Sequence, residues 1–287
     1  MTTPLGVHLN LDGAWEAGVL GLRELDVRSW GPRLRYCAPN AEVEAFYQQV
    51  KDRLEPFVLY GSGDFHYLTA LLIRRVPQPV TIVLFDNHPD WDRRPPRWSC
   101  GGWTRRALES GMVEHISVWG CGNFELRYPA LLFADHAALR DGRLVPHAWA
   151  ERQNAATQRR FGCITRQNWK ERFSEFSSHI AGQAVYVTVD LDCLRSEEVV
   201  TNWENGLFTV DDLNWAISCL SARTRVVGGD LCGAYSPAHY ARWTQRFASG
   251  WDHPKMLPPE EDRMQRINRA ALDALWPTLT VGSRTCV

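Results

Sequence analysis

The sequence lacks the features of a membrane-spanning, secreted or nucleic-acid-binding protein. Its 287 residues contain no apolar run that approaches the ~20 residues a helix needs to cross a bilayer. The first residues, MTTPLG, show no basic segment followed by an apolar one, so no secretory signal is visible. The formal net charge of -1 favours neither nucleic acid nor an anionic membrane. We therefore expect neither nucleic acid nor a membrane as a partner, and homo-oligomer formation stays open.

Cysteine pairs and interdomain linkers are also missing. The eight cysteines are scattered without a C-x-x-C pair, which in a chain of this length is typical of reduced, mostly buried thiols. We therefore expect a cytoplasmic protein. No long linker rich in Gly, Ser or Pro, no low-complexity tract and no internal repeat divides the chain. Residues 1–287 are accordingly expected to form a single domain.

Strands and helices alternate along the chain. Runs rich in β-branched and apolar residues predict strands at 57–60, 81–85, 115–119, 184–189 and 225–228. Helical patterns predict helices at 41–54, 67–75, 102–110, 168–177, 210–222 and 262–274. This alternation predicts a three-layer α/β/α fold with a mostly parallel sheet. In such sheets ligands bind beyond the carboxyl ends of the strands.

Carboxylates and histidines follow three of these predicted strands. Segment 86–90 (DNHPD) comes after one strand, segment 190–192 (DLD) after another, and segment 61–66 (GSGDFH) after a third. Alternate positions at a strand end project to one side, and ionised carboxylates are costly to bury without a cation. The six candidate ligands are His66, Asp86, His88, Asp90, Asp190 and Asp192. This set exceeds a tetrahedral zinc site and predicts two divalent metals that share carboxylates.

The three motifs resemble those of the ureohydrolase (arginase/agmatinase) superfamily. That superfamily carries a Gly-Gly-Asp-His segment, then D-x-H-x-D, then D-x-D, each after a parallel strand. Segment 61–66 resembles the first motif with one extra residue before the His, and the other two match directly. Downstream, segments 205–209 (NGLFT) and 227–231 (VGGDL) resemble the family's Gly-Gly-Leu-Thr stretch and its late strand ending in Asp. The resemblance covers residues 55–240 and implies an arginase-like fold.

The resemblance also implies a binuclear manganese centre, with Fe²⁺, Co²⁺ or Zn²⁺ as alternatives. The first ion would be held by His66, Asp86, Asp90 and Asp190, and the second by Asp86, His88, Asp190 and Asp192. Asp86 and Asp190 would then bridge the two ions. Water between them would be acidified to the attacking hydroxide, and Asp90 would orient it as a catalytic residue.

Two substrate-related positions depart from the family pattern. Arginases place a Glu three residues after the late-strand Asp to bind the guanidinium, but Gly233 stands at that position. The family's His-Gly pair, a proton shuttle, falls near residues 100–103 (CGGW), which contain no His. We therefore expect the substrate-binding residues to differ from those of arginases.

Other residues are candidates for the missing roles. Glu204, with Trp203 able to stack on a planar cation, is the first candidate for guanidinium binding, and Asp92 is the second. His239 and His253 are candidates for the proton shuttle. Each of the two acids could equally be a solvated loop residue, and each histidine a surface or core residue.

Three functions remain open. The leading one is a manganese hydrolase that acts on linear amidines, cleaving a C–N bond of an arginine derivative or a peptidyl arginine with release of urea. Segment 86–91 (DNHPDW) is also similar to that of peptide arginases. The second is an amidohydrolase or deacetylase on the same fold, which the missing Glu favours. The third is a non-catalytic protein that retains metal, which the missing His favours.

Overall fold

The computed structural model describes residues 6–96, 98–255 and 258–281, and within these ranges the central element is an eight-stranded parallel sheet. The ten strands are β1 (Val7–Asn10), β2 (Arg23–Asp26), β3 (Cys37–Ala38), β4 (Phe57–Leu59), β5 (Val80–Phe85), β6 (Trp98–Ser99), β7 (Val113–Trp119), β8 (Leu144–His147), β9 (Ala184–Asp190) and β10 (Arg225–Cys232). The sheet order is β2-β1-β4-β10-β9-β5-β7-β8, with every neighbouring pair parallel. Strands β3 and β6 form a separate antiparallel pair.

Helices cover both faces of the sheet. They are α1 (Gly31–Leu34), α2 (Asn40–Val50), α3 (Thr69–Leu72), α4 (Trp103–Glu109), α5 (His136–Arg140), α6 (Ala155–Phe161), α7 (Trp169–His179), α8 (Val210–Ser221), α9 (Trp243–Asp252) and α10 (Glu261–Val281). Alternate residues of β5 divide between two cores: Ile82 and Leu84 pack with residues of α2, α3 and α4, whereas Val83 and Phe85 pack with residues of α7, α8 and α10. The three-layer α/β/α fold is thus confirmed.

Local sequence explains the best-defined elements. Every residue of β5 is buried, as expected for an apolar strand covered on both faces. Helix α8 begins with a capping box, in which the Thr209 hydroxyl accepts from the Asp212 backbone N–H and the Asp212 carboxylate accepts from the Thr209 N–H. The five predicted strands are all present, and β10 continues four residues beyond its predicted end at 228.

Several elements differ from the sequence prediction. The predicted helix 67–75 is one α-helical turn, α3, between two 3₁₀ segments, Gly63–Leu68 and Ile73–Arg75. Strands β1, β2 and β8 and helix α9 were not predicted. The first three are only four residues long, so their apolar periodicity is too short to stand out.

Two sequence-based expectations concern the whole chain. Among the described residues, none of the helices has both the length and the apolarity needed to span a membrane. The seven described cysteines are free, which agrees with the expectation of reduced thiols. Cys286 lies outside the described residues.

Candidate metal centre and substrate cavity

The candidate ligands meet at the carboxyl edge of the sheet. Strands β5 and β9 are neighbours with Phe85 opposite Val189, so Asp86 and Asp190 lie side by side where the strands end. His66 reaches the same edge from the 3₁₀ segment after β4. Five of the six ligands are at most 4% exposed, and the side chain of His88 is 12% exposed.

The first half of the centre surrounds the His66 ring. Its Nδ1 atom lies 3.1 Å from Asp86 Oδ2, 3.3 Å from Asp90 Oδ2 and 3.4 Å from Asp190 Oδ2. Four side chains predicted to share one metal therefore converge on one point. The grouping of His66, Asp86 and Asp90 has the spacing of metal ligands.

A hydrogen-bond relay sets the orientation of this ring. The Thr188 hydroxyl donates to Asp230 Oδ1 at 2.6 Å, so its oxygen is left to accept from His66 Nε2 at 3.0 Å. The proton on Nε2 leaves the Nδ1 lone pair facing the carboxylates, which is the tautomer a metal ligand needs. Asp230, which resembles the family's Asp at the end of the late strand, therefore orients the His66 ring through Thr188.

The second half of the centre surrounds the His88 ring. Its Nδ1 atom lies 2.9 Å from Asp192 Oδ2 and 3.4 Å from Asp86 Oδ1, while Nε2 lies 3.5 Å from Glu204 Oε2. Asp86 therefore faces one imidazole with each of its two oxygens. That is the arrangement expected of a carboxylate that bridges two ions.

The charges of the centre fit a divalent cation. His66 Nδ1 and Asp86 Oδ2 are buried and have no hydrogen-bond partner. Burial, together with the charge on Asp86, raises the pKa of Asp90 to about 7, and burial with the charge on Asp190 raises the pKa of Asp192 well above its usual value. Burial acts to lower the His66 pKa, but the carboxylates close to its Nδ1 outweigh burial and raise it. Positive charge at this point relieves the repulsion between the carboxylates.

The backbone around the ligands is specialised. Asp90 has a φ of 49°, a left-handed conformation that Asp tolerates better than most residues. Its Oδ2 accepts from Trp103 Nε1 at 2.5 Å and its carbonyl from the Thr104 hydroxyl at 2.7 Å. A Cβ at Gly63 would lie 2.6 Å from Asp190 Oδ2, so only glycine lets that turn pass the centre so closely.

A cavity opens onto the centre and contains all three predicted substrate-binding residues. Trp203, Glu204 and Asp92 all line it. Trp203 packs edge-on against His88, with ring centroids 5.2 Å apart. Asp92 forms an ion pair with Arg94, at 2.5 Å.

The two predicted shuttle histidines have different surroundings. His253 is mostly buried behind Trp203, with ring centroids 4.4 Å apart, and its Nε2 lies 2.7 Å from Asp64 Oδ1. Asp64 is also paired with Arg35, and although burial acts to raise the Asp64 pKa, these two partners lower it to about 2. His239 is exposed, and neither histidine is among the residues that line the cavity.

The cavity also contains residues that the sequence did not single out. Glu125 lies on the wall, in a 3₁₀ turn that follows β7, and its Oε2 atom is buried. Asp252, at the end of α9, accepts a hydrogen bond from the Tyr36 hydroxyl. Beneath the centre the Cys232 thiol donates to Asp190 Oδ2 at 3.4 Å. Because β7 neighbours β5, the rule that ligands follow strand ends could have indicated Glu125, but its segment has no alternating pattern.

The parallel α/β/α sheet thus carries a cluster of carboxylates and imidazoles at its carboxyl edge that forms a candidate metal centre. The arginase family model matches residues 33–249, and the chain belongs to this family. Its fold is therefore that of an arginase-family hydrolase with candidate metal ligands. A relative from Thermotoga maritima, described only as an uncharacterized protein, is 24% identical over 181 residues. That alignment covers 63% of this chain and 58% of the relative, so the chain spans just over half of its length.

Solved structures of the family share the fold. Formimidoylglutamase from Bacillus subtilis matches with a TM-score of 0.57 at 16% identity, covering 98% of this chain and 87% of that one. Proclavaminate amidino hydrolase from Streptomyces clavuligerus matches with a TM-score of 0.56 at 14% identity, covering 92% and 76%. Agmatine ureohydrolase from Thermoplasma volcanium matches with a TM-score of 0.55 at 16% identity, covering 99% and 93%. At these identities the likeness is one of fold.

Proposed function

We propose that this protein is a binuclear manganese hydrolase that cleaves a C–N bond of a guanidino compound, an arginine derivative or a peptidyl arginine, and releases urea. The observation that carries the proposal is the convergence of two imidazole Nδ1 atoms and four carboxylates at one buried point that opens into a cavity. Membership of the arginase family supports hydrolysis of a C–N bond in general.

The protein's own residues divide the work of holding two ions. His66 and Asp90 would hold the first, His88 and Asp192 the second, and Asp86 and Asp190 both. When bound, such a pair of divalent ions makes water a nucleophile near neutral pH and stabilises charge that develops on the substrate. Thr188 keeps the His66 Nδ1 lone pair directed at the centre, as its bonding to Asp230 requires.

Asp90 is proposed to position the attacking water, and His253 is proposed to transfer protons. Asp90 Oδ2 is fixed by the Trp103 indole N–H, so it can orient the attacking water and hold a proton at a defined place. His253, bound to Asp64 and separated from His88 by Trp203, would carry protons between the cavity and solvent. His239, exposed and away from the cavity lining, is given no role in this proposal.

The experiment is a product analysis on protein loaded with Mn²⁺. Metal content per chain is measured first, and urea and primary amine are then assayed with arginine, agmatine and short arginine-containing peptides. An Asp86→Asn variant, which lacks the shared carboxylate charge, serves as the inactive control. Urea released by the wild type alone supports the proposal. Absence of urea with every guanidino compound would contradict it.

A deacetylase-type amidohydrolase is the second candidate, and the environment of Gly233 favours it. A Cβ at this position would lie 2.2 Å from Asp190 Oδ1, so no side chain of any kind fits where arginases carry their guanidinium-binding Glu. Release of a carboxylic acid from acylated amines, without urea, would support this second function. Metal retained with no turnover of either class would favour the non-catalytic alternative.

A further inference from the structure

We propose that Glu125 is the carboxylate that binds the cationic guanidinium group of the substrate. The inference rests on the proposed function, because it names the residue that replaces the acid missing at Gly233. The residues to compare are the acids that line the cavity and are not among the six candidate metal ligands.

Four such acids line the cavity, and three of them already have partners. Asp92 is paired with Arg94, Glu204 lies 3.5 Å from His88 Nε2, and Asp252 accepts from a tyrosine hydroxyl. In Glu125, by contrast, the Oε2 atom is shielded from solvent and has no hydrogen-bond partner. A shielded carboxylate oxygen without a partner is costly, and a cation held against the part of Glu125 that lines the cavity would lower that cost.

The backbone of Glu125 is tied to the metal-binding loop. Asn123 Oδ1 accepts from the Glu125 N–H at 3.2 Å and caps the short 3₁₀ turn Phe124–Leu126. The N–H groups of Gly122 and Asn123 both donate to the carbonyl of Asn87, which lies between the ligands Asp86 and His88. Glu125 is therefore held at a defined place relative to the centre, as specific recognition requires.

The electrostatics around Glu125 favour a cation. Burial, with the charges on Asp90 and Asp92, raises the pKa of Glu125 to about 8, against an opposing effect of His88. A bound positive charge would return the group to its ionised form. Gly101 faces Glu125, since an added Cβ there would lie 3.9 Å from Glu125 Oε1, and as a glycine it places no side chain beside this carboxylate. A planar guanidinium, with its forked N–H donors, is the cation that pairs most specifically with a carboxylate.

The test compares Glu125→Gln with a matched control in Mn²⁺-loaded protein. Glu114→Gln, on an exposed position of β7, removes a carboxylate from the same strand-and-turn unit away from the cavity. The probes are a blocked peptide containing one arginine and the same peptide with citrulline, a neutral isostere of similar shape. Urea release gives kcat and KM, calorimetry gives binding, and metal content is measured for every variant.

The expected result is a fall in kcat/KM for the arginine peptide of roughly 10- to 100-fold in Glu125→Gln, the effect of one charge-assisted hydrogen bond. Metal content and the Glu114→Gln control should match the wild type, and Glu125→Asp should recover part of the activity. Unchanged kinetics in Glu125→Gln would overturn the inference while leaving the proposed function intact.

The calorimetric arm separates the two claims. If the wild type releases no urea, the proposed function fails, and binding still decides the role of Glu125. Preference for the arginine peptide over the citrulline peptide in the wild type, lost in Glu125→Gln, would support the role. Equal binding of the two peptides by the wild type would overturn it.

Discussion

The ligands of the candidate metal centre and the acids of the cavity wall are held by different parts of the fold. Asp86 and Asp190 stand at the ends of two neighbouring central strands, and the ligands contact one another across a few ångströms. The wall acids lie on loops or at an element end, and each has a different environment: an arginine beside Asp92, a histidine beside Glu204 and no partner at Glu125 Oε2.

This contrast indicates that the candidate metal ligands and the acids of the cavity wall can vary independently in this fold. Strand ends in a fully covered parallel sheet cannot move without breaking the ladder, so the ligands keep their mutual geometry. Loops can exchange acids without that penalty, and functional variation concentrates in them. Gly233 shows the limit of this freedom, since it lies just after β10 and directly against Asp190.

The largest expected effect comes from breaking the shared part of the centre. Asp190→Ala removes a carboxylate that faces His66 and also accepts from the Asp192 N–H, so we expect both ions to be lost together. Asp192→Ala removes the contact to His88 and the acceptor of the Asn87 N–H, and should mainly weaken one ion. Elemental analysis after gel filtration measures both, and urea production should fall to background in Asp190→Ala. Stepwise loss of the ions in that variant would contradict a shared ligand.

The second prediction concerns Gly233→Glu, which introduces the Glu that arginases carry at this position. Gly233→Glu should fail to create a guanidinium site, because a Cβ there would lie 2.5 Å from the Leu191 N and the backbone φ is +100°. We expect a loss of roughly 2–4 kcal/mol in the free energy of unfolding, together with a loss of metal.

Gly233→Ala separates the backbone effect from the new charge and should show most of the same loss. Gly250→Ala is the matched control, since a Cβ at that position in α9 meets nothing within 4 Å. Denaturant unfolding and metal analysis are the measurements. Tighter binding of an arginine peptide by a folded Gly233→Glu would contradict this account.

The clustering of the candidate metal ligands could be predicted from the sequence because their signal is local. Asp86, His88 and Asp90 alternate directly after an apolar strand, and the strand-end rule then places them beside Asp190. The fold class followed from the alternation of strands and helices. Bridging by Asp86 was implied by the family resemblance, and its two oxygens facing two imidazoles agree with it.

The cavity wall could not be predicted in the same way. Glu125 and Asp252 lie near the centre only because β7 and α9 bring distant segments to one edge, and neither stands in a repeating pattern. His239 and His253 were equivalent as candidates in the sequence. Only the packing of His253 against Trp203 and its bond to Asp64 distinguishes them.

The third prediction tests whether a wall acid can support the centre. Glu204→Gln weakens the contact between that carboxylate and His88 Nε2, which orients the ring that binds the second ion. Because the Glu204 side chain is 46% exposed, we expect only about a tenfold loss of affinity for that ion, near the small end of such effects. Metal titration at fixed pH measures it.

If Glu204 instead binds the guanidinium, as the sequence suggests, the same variant should raise KM and keep both metals. At saturating Mn²⁺ the two roles separate, since the metal effect is suppressed and any remaining rise in KM reports contact with the guanidinium. A large rise in KM with unchanged metal affinity would assign Glu204 to substrate binding. It would contradict the prediction that this wall acid supports the metal centre.

The smallest expected effect is the loss of folding stability that the buried carboxyl group of Glu125 causes in the absence of a bound cation. In the metal-free protein the Glu125 pKa is raised from 4.5 to about 8, chiefly by burial. The folded state therefore holds a proton that the unfolded state releases, and this group makes the protein less stable as pH rises from 4.5 to about 8. Glu125→Gln removes the dependence, so the variant should gain stability over the wild type across that range and none below it.

Because Glu125 as a whole is only half-buried, although its Oε2 is not exposed, the gain at pH 8 should be about 1–2 kcal/mol, well short of the full shift. Denaturant unfolding at several pH values, with Glu114→Gln as the control, measures it. A gain that does not vary with pH would mean that packing, not charge, distinguishes the variant. A gain that grows with pH, alongside a loss of binding to arginine peptides, would show that this acid is kept for its ligand at the expense of stability.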